Sequence, residues 1–243
     1  MPLSLPGIQL VGASVALSGK PILHDVSLSL TERRIGIVGR NGSGKTTLLR
    51  LLAGLIAPTS GSVTISGLDP VRDRRAMLAA VGILFQNPDH QILFPTVDEE
   101  LAFGLIQTGA TRTAAAQAVA ALLQAEGRSH WSGVPVTSLS HGQRHYLCLL
   151  AILAMQPATV LLDEPFAGLD LPTQARLSRR LAALPHQIIT ISHDPAAVAG
   201  ADRVVWLEAG RVVGDGPADP VLAAFAQAMA ARGASDADTD IAG

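Results

Sequence analysis

The chain has 243 residues, enough for one α/β domain with a small inserted subdomain, which excludes two large independent domains. Its formal net charge is -2 and its pI is about 6.4, so it offers no basic field for a nucleic-acid backbone and we expect no nucleic-acid partner. Only 16% of its residues are charged, against about 25% in an ordinary soluble domain, which hints at a surface covered by a partner.

The sequence contains no apolar run that could cross a bilayer. The longest, residues 146–155, is about half of the roughly 18 to 20 residues required. The N-terminus has no basic segment before an apolar block, so we expect no signal peptide. Cys148, the single cysteine, lies in the apolar run, which favours a buried thiol in a reducing compartment. These observations together predict a cytoplasmic location.

In chain order, the first predicted elements are antiparallel strands. Residues 9–30 alternate weakly between apolar and polar, with a turn at residues 18–21. Short continuous apolar runs, several followed by helical patterns, are typical of buried strands; they cover residues 35–38, 81–85, 159–162, 188–191 and 204–207. Strands that alternate with helices predict a mostly parallel sheet covered on both faces.

Residues 87–139 break this pattern and are predicted to be helical, including a helix over 111–126 that begins at a threonine and stops at Gly127. We therefore divide one domain, residues 1–232, into a core (1–86 and 159–232) and an inserted helical subdomain (87–158). The tail, residues 233–243, is small and acidic, and we predict that it is disordered because it can bury little apolar surface.

A glycine-rich loop after the first buried strand matches the phosphate-binding motif G-x-x-x-x-G-K-[ST]. Its glycines let backbone N–H groups converge on phosphates, and the following helix presents its positive N-terminus. Lys45 would reach the β and γ phosphates, and Thr46 would ligate Mg²⁺. The alternative is a glycine-rich turn without a ligand. The predicted nucleotide-binding residues are Gly39, Arg40, Asn41, Gly42, Ser43, Gly44, Lys45, Thr46 and Thr47.

Two adjacent carboxylates, Asp163 and Glu164, end a buried strand at the edge where open α/β sheets bind ligands. Neighbouring side chains diverge at a strand end, so Asp163 can face Mg²⁺ while Glu164 faces the attacking water as a general base. Taken alone, an acidic helix cap before Pro165 would explain the pair as well.

Gln86 and His193 also follow buried strands. A histidine there could donate a hydrogen bond to a γ-phosphate, and a glutamine could reach Mg²⁺ or the attacking water. Both readings stay open on these residues alone, because a structural histidine and a polar residue leaving a strand explain them equally well.

The motif LSHGQ at residues 139–143 precedes a long apolar helix, and with it the chain resembles the ATP-binding cassette (ABC) family over residues 8–230. The resemblance implies a P-loop NTPase (RecA-like) core with a mostly parallel sheet, an N-terminal antiparallel β subdomain and an inserted α-helical subdomain. It places Gln86 in the Q-loop, Asp163 and Glu164 in the Walker B motif, Asp170 in the D-loop and His193 in the switch.

The resemblance further implies a head-to-tail dimer, most simply a homodimer. Each ATP, with Mg²⁺, would lie between residues 39–47 of one subunit and the signature motif of the other: Ser140, His141, Gly142 and Gln143. Ser140 is also predicted on its own to cap its helix, whose N-terminus would attract a phosphate.

Within the family, residues 86–92 and 96–104 resemble the ATPases of energy-coupling-factor importers, and the small size is most similar to the ATP-binding subunit of the biotin importer. This implies a peripheral subunit at the cytoplasmic face of the membrane, a transmembrane coupling subunit and a membrane substrate-binding subunit. Alternatives are importers of cobalt, nickel or another vitamin, a soluble ABC ATPase of translation or DNA repair, and a small-molecule P-loop kinase.

The chain departs from the family pattern at four positions. His141 stands where glycine is usual, and His145 and Tyr146 stand where glutamine and arginine are usual. Leu17 stands where an aromatic residue often stacks on adenine, so we expect apolar contact without ring stacking and looser base selectivity.

Overall fold

A computed structural model describes residues 7–234, and its strands form two sheets. The strands are β1 (Ile8–Leu17), β2 (Lys20–Leu30), β3 (Arg34–Val38), β4 (Ser60–Ile65), β5 (Val81–Leu84), β6 (Thr159–Asp163), β7 (Gln187–Ser192), β8 (Arg203–Glu208) and β9 (Arg211–Gly216). The larger sheet has the order β5-β6-β7-β3-β8-β9, and the smaller, antiparallel sheet has the order β2-β1-β4. Only the β8–β9 pair of the larger sheet is antiparallel within residues 7–234, which confirms the predicted fold class.

Helices separate most of the parallel strands of the larger sheet, whereas β7, β8 and β9 follow one another without an intervening α-helix. The helices are α1 (Lys45–Leu52), α2 (Arg74–Ala80), α3 (Val97–Gln107), α4 (Arg112–Ala125), α5 (His141–Ala154), α6 (Leu171–Ala183) and α7 (Ala218–Ala234). The predicted limits of α4 agree with the structure: Thr111 Oγ1 accepts a hydrogen bond from Ala114 N at 3.2 Å, and Gly127 follows the helix with φ +63°.

The five predicted buried strands are present to within one residue at each end. Their register aligns their carboxyl ends, because Leu84 pairs with Leu162 on β5 and β6, and Val38 pairs with Ser192 on β3 and β7. Polar residues that follow these strands therefore collect at one edge of the sheet, as the sequence predicts.

The hydrophobic pattern of the sequence does not predict two of the strands, β4 and β9. The β4 segment SGSVTI has only its last residues buried or half-buried, and β9 is an edge strand without one fully buried residue. Each pairs with a strand that is better buried, and this pairing rather than its own hydrophobicity defines it.

Helix α5 packs against two hydrophobic clusters. Its Leu149 and Ile152 join a cluster with Val160 on the sheet, while its Leu147 and Leu150 join the cluster of the helical insertion. Cys148 lies in the first cluster and is fully buried, and burial raises the pKa of its thiol to about 12. The helix therefore bridges the insertion and the sheet.

At the C-terminus, α7 runs to Ala234 and so includes the first two residues of the tail predicted to be disordered, residues 233–243. The rest of that tail lies outside the described residues. Over residues 7–234, none of the helices has the length and apolar character that a membrane-spanning segment needs.

Candidate nucleotide-binding and hydrolysis site

The glycine-rich loop connects β3 to α1, and its glycines are required by close contacts. A side-chain carbon at Gly39 would lie 2.2 Å from the carbonyl oxygen of Leu207, and Gly44 caps α1 with φ +102°. Larger residues at these positions would displace the loop from the sheet edge. The structure thus gives the loop the close backbone packing that its motif predicts.

Lys45 is held inside this loop. It is 7% exposed, and its Nζ donates to the carbonyl oxygens of Gly39 at 2.7 Å and Arg40 at 2.8 Å. Burial lowers the pKa of Lys45, and the carboxylates of Glu164 and Asp163 oppose that shift. The positive charge of the Lys45 ammonium group therefore interacts both with carbonyl oxygens of the loop and with the two carboxylates at the end of β6.

The remainder of the loop fits a phosphate chain. Ser43 Oγ is buried and has no hydrogen-bond partner among the described residues, so a buried donor is available there. Thr46 is exposed and Thr47 is half-buried in the first turn of α1, where backbone N–H groups lack partners within the helix. Arg40 and Asn41 are exposed at the tip of the loop. This set of donors suits the phosphates of a nucleotide.

Asp163 provides a carboxylate that a cation would stabilise. Its pKa is raised, first by burial and then by the adjacent Glu164, while Lys45 and Arg50 act in the opposite direction. The negative charge of the two neighbouring acids is only partly balanced by Lys45 and Arg50, which favours a bound divalent cation. Carboxylate and hydroxyl oxygens are the ligands that Mg²⁺ prefers. Asp163 and Thr46 therefore fit the predicted metal site.

The side chain of Glu164 is held by hydrogen bonds to residues at the end of β7. Its Oε2 accepts from Ser192 Oγ at 2.7 Å, and its Oε1 accepts from His193 N and lies 2.8 Å from His193 Nδ1. The Glu164 backbone has φ +46°, which is uncommon for a residue with a side chain, and its N–H donates to Ile191 at 2.9 Å. The structure thus brings the predicted base and the predicted switch histidine into direct contact.

Ser192 had no role in the sequence analysis, although it is 2% exposed and donates to the predicted base. The one available signal was a polar residue that ends a buried strand. Serine is so common at such positions that this signal carries little weight.

Gln86 is exposed two positions beyond the end of β5. Since Leu84 pairs with Leu162, Gln86 and Glu164 leave neighbouring strands at the same level. The loop is held by Gln91, whose amide accepts from Phe85 N at 3.1 Å and donates to the Ile83 carbonyl at 3.2 Å. Sequence reasoning missed this second glutamine.

The signature motif forms the exposed N-terminus of α5. Ser140 caps the helix as predicted: its N–H donates to Gln143 Oε1 at 2.7 Å, and its Oγ accepts from Gln143 N at 3.3 Å. The neighbours of Gly142 are Thr173 and Leu169, which belong to the α6 region and not to the glycine-rich loop. His141 Nε2 would lie 3.7 Å from a side-chain carbon at Gly168.

Asp170 uses its carboxylate within its own chain. Its Oδ1 accepts a hydrogen bond from Thr173 N at 2.7 Å and so caps α6. Hydrogen bonding from the side chain and backbone of Thr173 lowers the pKa of Asp170. A cleft of about 850 Å³ lies beside this turn and is lined by Glu164, Gly168 and His193, among others. Leu17 is 38% exposed at the end of β1, in the antiparallel sheet.

The chain belongs to the ABC transporter family, because residues 23–167 match the model of that family. Its ATP-binding members hydrolyse ATP to drive transport, so the fold and the site described above belong to an ATPase. This membership confirms the resemblance found in the sequence.

Two relatives and one solved structure extend this result. The chain is 50% identical over 213 residues to the biotin transport ATP-binding protein BioM of Rhodobacter capsulatus, covering 88% of this chain and 91% of that protein. It is 36% identical to the BioM of Rhizobium etli, with 92% and 99% covered. The structure of cbiO1 from Clostridium perfringens, part of the ABC transporter complex cbiONQ, superposes with a TM-score of 0.77 at 26% identity, covering 96% of each chain.

Proposed function

We propose that this chain is the ATP-hydrolysing subunit of an energy-coupling-factor importer whose cargo is biotin. The observation that carries the ATPase assignment is the Glu164 carboxylate, which contacts with Ser192 Oγ, the His193 N–H and the His193 ring orient beside the buried Lys45. The 50% identity to the biotin transport protein of Rhodobacter capsulatus supports the cargo.

In this proposal the glycine-rich loop and Lys45 bind the phosphates of ATP, and Glu164 accepts a proton from the attacking water. His193 orients Glu164, and its exposed ring contacts the γ-phosphate. Thr46, Asp163 and Gln86 hold Mg²⁺, which offsets the negative charge of the phosphates.

We further propose that two copies form a head-to-tail homodimer. Ser140, His141 and Gln143 are exposed at the start of α5, and the first N–H groups of that helix favour an anion. The neighbours of Gly142 lie in the α6 region and not in the glycine-rich loop, which supports a phosphate bound by the other copy. In this proposal, Asp170 and its turn lie at the contact between the copies.

The proposed membrane partners are a coupling subunit and a substrate-binding subunit, at the cytoplasmic face of the membrane. Exposed apolar residues that follow Gln86 in the chain support a docking surface for the coupling subunit: Leu93 is 67% exposed and Ile106 is 39% exposed. In the same segment, the rings of Phe94 and Phe103 pack against each other with centroids 5.0 Å apart.

The test is purification of the chain with its membrane partners in a mild detergent, followed by ATPase and biotin-uptake measurements. Biotin retained by the complex, and uptake that requires Glu164, would support the proposal. Retained cobalt, nickel or another vitamin would overturn the cargo while leaving the importer. Copurification with ribosomes or nucleic acid instead of membrane proteins would overturn the importer.

A further inference from the structure

One carboxylate, that of Glu126, joins three helices. Glu126 follows the last residue of α4, and its side chain is 11% exposed. Its Oε1 accepts from Arg180 Nη2 of α6 at 2.6 Å, and its Oε2 accepts from Tyr146 OH of α5 at 2.6 Å. We name Glu126, Tyr146 and Arg180 the polar link.

The position of Glu126 is unfavourable for a carboxylate in the absence of these partners. The C-terminal end of a helix carries partial negative charge, and burial of an acid has a high desolvation cost. Burial, followed by the hydrogen bond to Glu126, raises the pKa of Tyr146 to about 12, so the phenol remains a donor at neutral pH. The short hydrogen bonds of the polar link thus offset the unfavourable position of the Glu126 carboxylate at the end of α4.

A small cavity lies beside the polar link. It has a volume of about 110 Å³ and is lined by Tyr146 itself, by Ser140 of the signature motif and by Thr173 of α6, among others. His145 also lines this cavity and is fully buried. Leu149 of α5 and Leu177 of α6 belong to one buried hydrophobic cluster, so the polar link adds a fixed polar contact to this packing.

The two helices that the polar link joins both begin at the proposed nucleotide site. Helix α5 begins after Ser140 in the signature motif, and α6 begins after Asp170 in the D-loop. Tyr146 lies six positions after Ser140, roughly 9 Å along the helix axis, so a tilt of about 6° would move Ser140 by roughly 1 Å. An error of that size at a reacting group can reduce a rate by about 10²-fold.

We propose that the polar link sets the position of the signature helix against the D-loop helix, and that Tyr146 is thereby a positioning residue for ATP hydrolysis. The inference rests on the proposed function, because it requires that the Ser140 end of α5 contacts the nucleotide of a second copy. Tyr146 itself lies behind this contact and acts through α5.

The test is Tyr146→Phe in the assembled transporter, because this change removes one hydroxyl and keeps the ring that packs on Trp131. We expect kcat for ATP hydrolysis to fall about 10-fold while KM for ATP changes by less than about two-fold, since the glycine-rich loop is untouched. Glu126→Gln should have a similar effect. The double variant should lose less than the product of the two single losses, because both act through one carboxylate.

The control is Asp215→Asn, which removes a charged contact of similar length, 2.6 Å to Arg203, at the far edge of the sheet. This variant should lower the melting temperature without lowering kcat. The inference is overturned if Tyr146→Phe keeps kcat within about two-fold of the parent, or if its loss of kcat is matched by the control at equal loss of melting temperature. Full activity of Glu164→Gln would instead overturn the proposed function, so the two failures are distinguishable.

Discussion

Glu164 Oε1 lies 2.8 Å from Nδ1 of His193, and the same oxygen accepts from the backbone N–H of His193. The other oxygen, Oε2, accepts from Ser192 Oγ. The orientation of this carboxylate is therefore determined by the end of β7 and not by its own strand. Four predictions test the site built around it.

Replacing Glu164 with glutamine should slow ATP hydrolysis by about 10² to 10⁴-fold, the usual contribution of a general base. An amide of the same shape still accepts one hydrogen bond but does not take a proton from water. ATP binding should persist, and nucleotide-bound dimers should accumulate on size-exclusion chromatography. Turnover near the parent value would remove Glu164 from the role of base.

Ser192→Ala should lower kcat by about 10-fold, because a hydrogen bond to a charged group contributes about 1.5 to 3 kcal/mol and here orients the base. The measurement is steady-state ATPase activity of the assembled complex together with its melting temperature. Ser192→Thr, which keeps the hydroxyl, is the matched variant and should retain more activity. If alanine and threonine were equally active, the hydroxyl would have no part in orienting Glu164.

Lys45→Ala should weaken nucleotide binding itself, since it removes the buried ammonium of the loop. Binding of a fluorescent ATP analogue measures this directly. Lys20→Ala is the control, because Lys20 is exposed at the first position of β2 and carries the same charge. Equal affinity of the Lys45 variant and the control would contradict the phosphate-binding assignment.

His141→Gly should keep or raise ATPase activity in the assembled complex. The imidazole lies against Gly168 of the same chain, and its removal leaves the Ser140 capping interactions in place. A glycine in the first turn of a helix lowers stability by up to about 1 kcal/mol, so a small fall in melting temperature is expected. A collapse of turnover in a correctly assembled complex would show that His141 contributes to hydrolysis.

Much of the site could be predicted because its determinants are local. The glycine-rich loop is contiguous in sequence, and the acids, Gln86 and His193 each follow a strand whose apolar run is easy to recognise. A parallel sheet then brings those strand ends together without further information. The predicted capping role of Ser140 likewise depends on a neighbour three residues away.

The features that sequence reasoning missed depend on contacts between distant positions. Tyr146 and Arg180 meet Glu126 across 20 and 54 positions of sequence, and nothing near any of the three residues indicates its partners. The first three residues of β4 are exposed, and the strand is defined by its pairing with β1. Such pairings follow from the tertiary fold, which overrides weak local preference.

The backbone of Glu164, with its φ of +46°, has a consequence for the evolution of this protein. A residue in this conformation costs about 1 to 3 kcal/mol, and glycine would relieve much of that strain. The same change would remove the carboxylate that accepts hydrogen bonds from Ser192 and His193, and a hydrogen bond to a charged group contributes about 1.5 to 3 kcal/mol. The side chain therefore offsets the strain of its own backbone, and a thermostable version of this subunit has to obtain its added stability elsewhere.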